Sequence, residues 1–248
     1  MIPVRREGYK FCQEISVPCY QTDSQTRLKP AAFMDMAQEI AYWAAQELGF
    51  GYDTLHIHHT AWVLSRMHIR FHALPLWRDQ LSLYTWHKGA DGLFYLRDFD
   101  LQNAAGETVV SCTTSWVVID ERTRRLVRPE DLQNLLDTEK VEDAIAERAP
   151  KVAVPRDAQM EAAGEHEVAY SDLDLNGHTN NARYVLWAMD CLPQEVTASP
   201  VKELFINFNK ESKAGETVQL YRLRDDEGAW YVEGRLDGKS CFAVKLVF

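Results

Sequence analysis

YQTDSQTRLKPAAF, residues 20–33, and SDLDLNGHTNNARY, residues 171–184, run beside each other at one constant offset, with Asp23 on Asp174 and Phe33 on Tyr184. Further along, Phe71 matches Phe208, Asp79 matches Glu216, and Leu81 and Leu83 match Val218 and Leu220. The matched stretches sit in the same order of elements. In the first half a strand over residues 11–20 precedes Phe33, Ala37, Ile40, Ala41, Ala44 and Leu48, which fall at helical spacing. Pro30 suits a first helical turn, and Gly49 and Gly51 supply the stop. Four strand-like runs follow: WVLSRMHIRFHAL, QLSLYTWHKG, LFYLRDFDLQN and ETVVSCTTSWVVID. Turn signals at Asp91-Gly92 and at Gly106 make the last three an antiparallel meander. The second half repeats the order, with a strand over residues 165–170, a helix over 182–192 stopped by Pro193, and the runs KELFINFN, ETVQLYRL, AWYVEGRL and SCFAVKLVF. Two copies of one unit therefore fill the chain. Each is expected to be a long helix wrapped by a curved antiparallel sheet, an α+β fold, and two in tandem imitate a dimer within one chain.

Residues 126–160 break the rhythm. They include a short predicted helix near residues 129–137 and an acidic, alanine-rich stretch that ends in Pro150 and Pro155. Such composition marks a connection between units. The expected organisation is a first unit over residues 1–125, a linker over 126–160 and a second unit over 161–248.

At 248 residues the chain can bury a substantial core. No apolar run reaches the roughly 18 residues that a membrane-spanning helix needs, and the N-terminal MIPVRREGYKF lacks the apolar core of a signal peptide. A cytoplasmic protein with no membrane span is expected. Cys12, Cys19, Cys112, Cys191 and Cys241 are scattered without a CxxC pair, so reduced thiols are expected. A formal net charge of −10 argues against nucleic acid as a partner, because phosphate binding needs concentrated positive charge. Against that background Arg122, Arg124, Arg125 and Arg128 form one basic cluster, either a solvated strand end or a docking patch for an acidic partner.

The copies differ where chemistry would sit. Residues 172–184 pack two acids, three amides and a histidine into one stretch. In an extended segment Asp174, Asn176 and His178, spaced by two, would share one face. Thr179, Asn180 or Asn181 would cap a helix that starts near Ala182, bringing unpaired N–H groups and the positive end of a dipole to the same place. That suits an oxygen that becomes negative; the alternative is a polar turn that merely caps a helix. In the first copy Gln25 and Arg27 stand at the positions of Asn176 and His178, and Leu74 stands opposite Glu211. One plain and one specialised copy imply a single active site. Taken alone, Glu211 in INFNKESKAGE reads as a surface charge before a turn. Beside an imidazole, an amide and a helix N-terminus it could activate water while an oxyanion is held, as acyl hydrolysis requires.

Other signatures are missing. There is no GxSxG, Walker A loop, HExxH or glycine-rich dinucleotide turn. His56, His58 and His59 have no acidic or cysteine companion at close spacing, so no metal and no cofactor are expected. Arg66, His68 and Arg70 alternate along one strand and read as a polar sheet face, with a ligand contact as the alternative.

Four motifs carry a resemblance over nearly the whole chain: WVLSRMHIRF at residues 62–71, SWVVIDERTRRLVRP at 115–129, SDLDLNGHTNNARYVLW at 171–187 and FNKES at 208–212. In this order they resemble the plant-type and bacterial acyl-carrier-protein thioesterases, and the DxNxHxNN spacing is the most specific part. The resemblance implies a tandem (double) hotdog fold and hydrolysis of a fatty acyl thioester to free fatty acid and carrier thiol. It places the family's catalytic residues on Asp174, Asn176, His178 and Glu211. Ser212 stands where plant members have a cysteine once regarded as a nucleophile, which removes that mechanism here, and a serine without a base is a poor substitute. The implied roles are Glu211 as general base for water or as nucleophile, His178 oriented by Asp174 to move a proton or polarise the thioester, and Asn176 to position water or the carbonyl oxygen. Backbone N–H groups after His178 would complete an oxyanion site. Acyl carrier protein is acidic, so Arg122, Arg124 and Arg125 become candidate docking residues, and a homodimer remains compatible with the tandem arrangement. An acyl-CoA thioesterase of the same fold and a non-catalytic acyl-thioester-binding module are the competing readings. Acyl chain length depends on the packing of residues such as Met34, Trp43 and Trp62, which the sequence leaves open.

Overall fold

The long helix of the first copy begins where proline allows it. In the computed structural model, which describes residues 4–128, 141–155 and 159–248, α1 (Pro30–Glu47) has Lys29 as N-cap and Pro30 in its first turn, where a missing N–H costs nothing. Phe33, Ala37, Ile40, Ala41 and Ala44 are buried, as their spacing predicts. Leu48 caps the helix and Gly49 follows at φ 83°, a left-handed geometry that glycine adopts without penalty. A Cβ on Gly51 would lie 2.6 Å from the Cα of Gln46, so only glycine lets the chain double back there.

Around α1 the first half places β1 (Arg5–Glu7), β2 (Lys10–Ser16), α2 (Tyr52–Ile57), β3 (Thr60–Phe71), β4 (Gln80–Asp91), β5 (Phe94–Gln102), β6 (Thr108–Asp120) and β7 (Leu126–Val127). The sheet order is β1-β2-β4-β5-β6-β3, with β7 on β6. The predicted meander is present: Asp91 pairs with Phe94 across Gly92 at φ 61°, and Gly106 turns at φ 78° before β6. Helix α1 lies against β4 and β2, and Phe33, Ile40, Leu83, Phe99 and Leu101 are fully buried.

The second half contains β8 (Glu161–Glu167), α3 (Asn181–Asp190), α4 (Gln194–Thr197), β9 (Glu203–Phe208), β10 (Thr217–Arg224), β11 (Trp230–Leu236) and β12 (Lys239–Val247). Its sheet order is β9-β12-β11-β10-β8, and α3 lies against β11 and β12. Boundaries move in the same way in both copies. The strand expected over residues 11–20 stops at Ser16, the one expected over 165–170 stops at Glu167, and tight 3-10 turns follow at Cys19–Gln21 and Tyr170–Asp172. Side chains win these turns from the strands: Thr22 Oγ1 donates to the carbonyl of Cys19 at 2.8 Å, and Asp172 Oδ2 accepts the N–H of Ala169 at 2.8 Å. The helix expected near residues 129–137 lies outside the described residues. Among the described residues no helix is long and apolar enough to cross a membrane.

Two compact units result, Met1–Ser65 with Ile69–Ala149, and Arg66–His68 with Pro150–Phe248. Residues 141–149, whose composition suggested a linker, pack on the first unit. Trp86 Nε1 donates to the carbonyl of Glu142 at 2.9 Å, Lys88 Nζ to that of Ile145 at 3.0 Å, and the N–H of Ala144 to Asp98 Oδ2 at 2.7 Å. Lys88 also pairs with Asp98 at 3.0 Å and with Asp143 at 2.7 Å. The Asp98 carboxylate is fully buried, and a buried charge without its partner is strongly destabilising, so this contact holds the segment in place. In the second unit Val152 exchanges hydrogen bonds of 3.0 and 2.9 Å with the side-chain amide of Asn207.

Candidate active site

Asp174 closes a turn on itself. Its Oδ1 accepts the backbone N–H groups of Asn176 at 2.8 Å and His178 at 3.2 Å, and its own N–H donates to the carbonyl of His178 at 2.8 Å. Gly177 bends the chain at φ 74°. The first copy builds the same turn from other residues. Asp23 Oδ1 accepts from the N–H groups of Gln25 at 2.8 Å and Arg27 at 2.9 Å, the N–H of Asp23 donates to the carbonyl of Arg27 at 2.8 Å, and Thr26 holds φ 66°. The duplication is thus visible bond by bond.

This geometry corrects one expectation. Residues 174–178 form a tight turn rather than an extended segment, so Asp174, Asn176 and His178 do not share a strand face. An aspartate can bond the N–H two residues on, which competes with strand pairing. Asp174 orients His178 through the backbone, because its Oδ1 is engaged by two amides, while Asn176 is exposed at the tip of the turn.

A backbone bridge between His178 and Lys213 brings the turn against the chain that leaves β9. His178 Nε2 thereby comes within 3.5 Å of Glu211 Oε2, with the two side chains 26% and 32% exposed. That is longer than a good hydrogen bond but within the loose range of a catalytic pair before substrate arrives. At the corresponding positions the first copy has neither the imidazole nor the carboxylate. There Arg27 Nε donates back to Asp23 Oδ2 at 2.6 Å, and Leu74 occupies the position of Glu211.

The row of open amides expected after His178 is mostly used inside the fold. Asn180 is the N-cap of α3 and its Oδ1 accepts the N–H of Ala182 at 2.8 Å. The N–H of Thr179 donates to the carbonyl of Ser212 at 2.9 Å, that of Asn180 to Asp172 at 2.8 Å and that of Arg183 to Asn180 at 2.9 Å. Helix starts carry unpaired N–H groups, and here the surrounding chain takes them up, so few remain for an oxyanion. Ser212 is fully buried and bonded to the hydroxyls of Thr179 and Tyr184, with no imidazole or carboxylate against it among the described residues.

The sequence reading missed a second imidazole–carboxylate pair. His166 Nε2 lies 2.8 Å from Asp172 Oδ2, and the His166 ring stacks on Trp187 with centroids 4.2 Å apart. Burial pushes the Asp172 carboxyl up, but hydrogen bonds from His166 and the Ala169 N–H outweigh it and hold the group below its ordinary value. The repeat offers a signal that would have found the pair, since Ile15, Gln21 and Met36 occupy these positions in the first copy.

Elsewhere, Arg122, Arg124 and Arg125 are exposed on the turn between β6 and β7, shaped by Asp120 Oδ1, which accepts the N–H groups of Arg122 at 3.0 Å and Thr123 at 2.7 Å. Arg128 is exposed beside them. His56, His58 and His59 are exposed, and among the described residues no group of His, Cys, Asp and Glu is arranged to hold a metal ion. Arg66, His68 and Arg70 alternate along β3, where His68 is buried, stacked on Phe205 at 4.1 Å and 3.7 Å from Glu203.

A helix laid on a curved antiparallel sheet, present twice and specialised once, defines a tandem hotdog protein. The chain belongs to the acyl-ACP thioesterase family, whose N-terminal domain matches residues 8–134 and whose C-terminal domain matches residues 156–237. It is 26% identical to the oleoyl-acyl carrier protein thioesterase 2, chloroplastic, of Arabidopsis thaliana over 236 residues, which is 86% of this chain and 62% of that relative. The chain thus spans less than two thirds of the curated relative's length. Two solved structures share the fold. The acyl-ACP thioesterase of Bacteroides thetaiotaomicron superposes with a TM-score of 0.84 at 22% identity, covering 97% of this chain and 98% of that one. The 12:0-ACP thioesterase of Umbellularia californica gives 0.82 at 19% identity, covering 98% of each chain.

Proposed function

We propose that this chain hydrolyses fatty acyl thioesters of acyl carrier protein, with Glu211 and His178 of the second unit as the acid–base pair. The observation that carries the reading is the 3.5 Å approach of Glu211 Oε2 to His178 Nε2 in the copy that also keeps Asp174 and Asn176. Glu211 takes a proton from water, and the water oxygen attacks the thioester carbonyl. The tetrahedral intermediate then expels the carrier thiolate as the C–S bond breaks, and the proton taken up by Glu211 passes to His178, which delivers it to the sulfur. Asn176, exposed at the tip of the turn, positions the water or the carbonyl oxygen, and Asp174 holds the turn that presents both residues. Direct attack by Glu211 would instead form an acyl anhydride that water then opens. The exposed Arg122, Arg124 and Arg125 offer local positive charge to an acidic carrier despite the chain's net charge of −10.

The test is thiol release from a panel of acyl carrier proteins bearing chains of varied length, with acyl-CoA in parallel. Glu211→Ala and His178→Ala should each lower kcat by about 100-fold or more, the size of a general acid–base contribution. Near-normal turnover by either variant in a folded protein would overturn the assignment, and faster turnover of the CoA thioesters would transfer it to the other carrier.

A further inference from the structure

We infer that three hydroxyl groups behind the site, those of Thr179, Tyr184 and Ser212, are positioning residues that set the distance between Glu211 and His178. The inference rests on the proposed reading of Glu211 and His178 as the acid–base pair. Thr179 follows His178 in the chain and Ser212 follows Glu211, so whatever ties these two neighbours together also fixes the pair. The tie is a closed circuit. The N–H of Ser212 donates to Tyr184 OH at 3.1 Å, Tyr184 OH and Ser212 Oγ are 2.9 Å apart, Ser212 Oγ and Thr179 Oγ1 are 2.8 Å apart, and Thr179 Oγ1 donates to the carbonyl of Ser212 at 3.2 Å.

Each hydroxyl has one proton, and either oxygen can donate in the Thr179–Ser212 and Tyr184–Ser212 bonds. All three side chains are buried, where an unmade hydrogen bond is costly, so the three hydroxyls are held together. The Ser212 proton is spent inside the circuit, consistent with a serine that positions and does not attack.

The first copy shows that the fold itself does not require the circuit. At the corresponding positions stand Leu28, Phe33 and Pro75, and the backbone bond from the Leu28 N–H to the Pro75 carbonyl persists at 2.8 Å, matching the 2.9 Å bond from Thr179 to Ser212. The backbone contact is common to both copies. The hydroxyls occur only in the copy that carries the imidazole and the carboxylate.

The experiment uses the full chain and acyl carrier protein substrate. Thr179→Val keeps shape but breaks the circuit, and kcat should fall by about 10- to 100-fold, the cost of misplacing reacting groups by a fraction of an ångström to an ångström, with KM little changed. The acid limb of the kcat profile should move, because the Glu211–His178 pairing loosens, and Thr179→Ser should restore both kcat and the limb. A purely structural role would lower the melting temperature and leave the pH limb in place. Tyr184→Phe, which keeps the ring packed, decides the matter by the same readouts if Thr179→Val does not fold. Wild-type kcat and pH limb in the folded variants, or a Thr179→Ser no better than Thr179→Val, would overturn the inference. If Glu211→Ala abolishes turnover while the hydroxyl variants are silent, the positioning role falls alone; if Glu211→Ala is also active, the reading beneath it falls too.

Discussion

One backbone angle, met twice, shows how little a single residue type decides by itself. Gly177 and Thr26 hold φ of 74° and 66° at equivalent places, and the backbone hydrogen bonds that the turn aspartate accepts support both. His87 shows the opposite case, in which surroundings dominate. It is 8% exposed, and its Nδ1 accepts the N–H of Gly89 at 2.8 Å. Burial first, then the positive charge of Arg97, pushes its pKa down to about 3. In the unfolded chain the ring titrates at its ordinary value of about 6.5. Between those limits the unfolded chain binds a proton that the native ring refuses, so stability falls as pH drops, by up to about 1.4 kcal/mol per pH unit. Thermal melts at about pH 7 and about pH 5 should show His87→Gln losing less stability on acidification than the parent. An equal loss in both would refute a neutral buried His87.

The hydrophobic period made the long elements readable, and length limited the rest. Helix α1 shows a buried stripe over eighteen residues, while β1 and α2, at three and six residues, are too short to carry a period. The second unit fills its helix–sheet interface with rings. Phe242 packs 4.9 Å from Tyr184 and 6.4 Å from Trp187, and it does so over Gly234 of β11, where an added Cβ would lie 2.1 Å from the Phe242 ring. Gly234→Ala must displace a fully buried phenylalanine from a packed layer. Overpacking of this kind costs about 1–3 kcal/mol, which should appear as a lower denaturant midpoint with an unchanged slope. An unaltered midpoint would mean that the ring moves freely and the layer is loosely packed.

At the scale of the whole molecule, the proposed function separates roles between two copies and gives the arginines of the first unit a partner to meet. Arg124→Ala combined with Arg125→Ala should raise KM for acyl carrier protein several-fold, more at low salt, and leave a small acyl thioester unaffected; equal effects on both substrates would count against docking. The tandem arrangement, the meander and the long helix follow from local information, because turn residues and the alternation of apolar side chains act over a few neighbours. The offset between residues 20–33 and 171–184 was enough to predict two copies and to show where their polar residues differ. Other features depend on groups that the chain brings together from a distance. The meeting of His178 with Glu211, the hydroxyl circuit behind them and the packing of residues 141–149 on Lys88 and Asp98 are all of this kind. No local period encodes such contacts, since each forms only when separate segments close on one another and buried polar groups must find partners there.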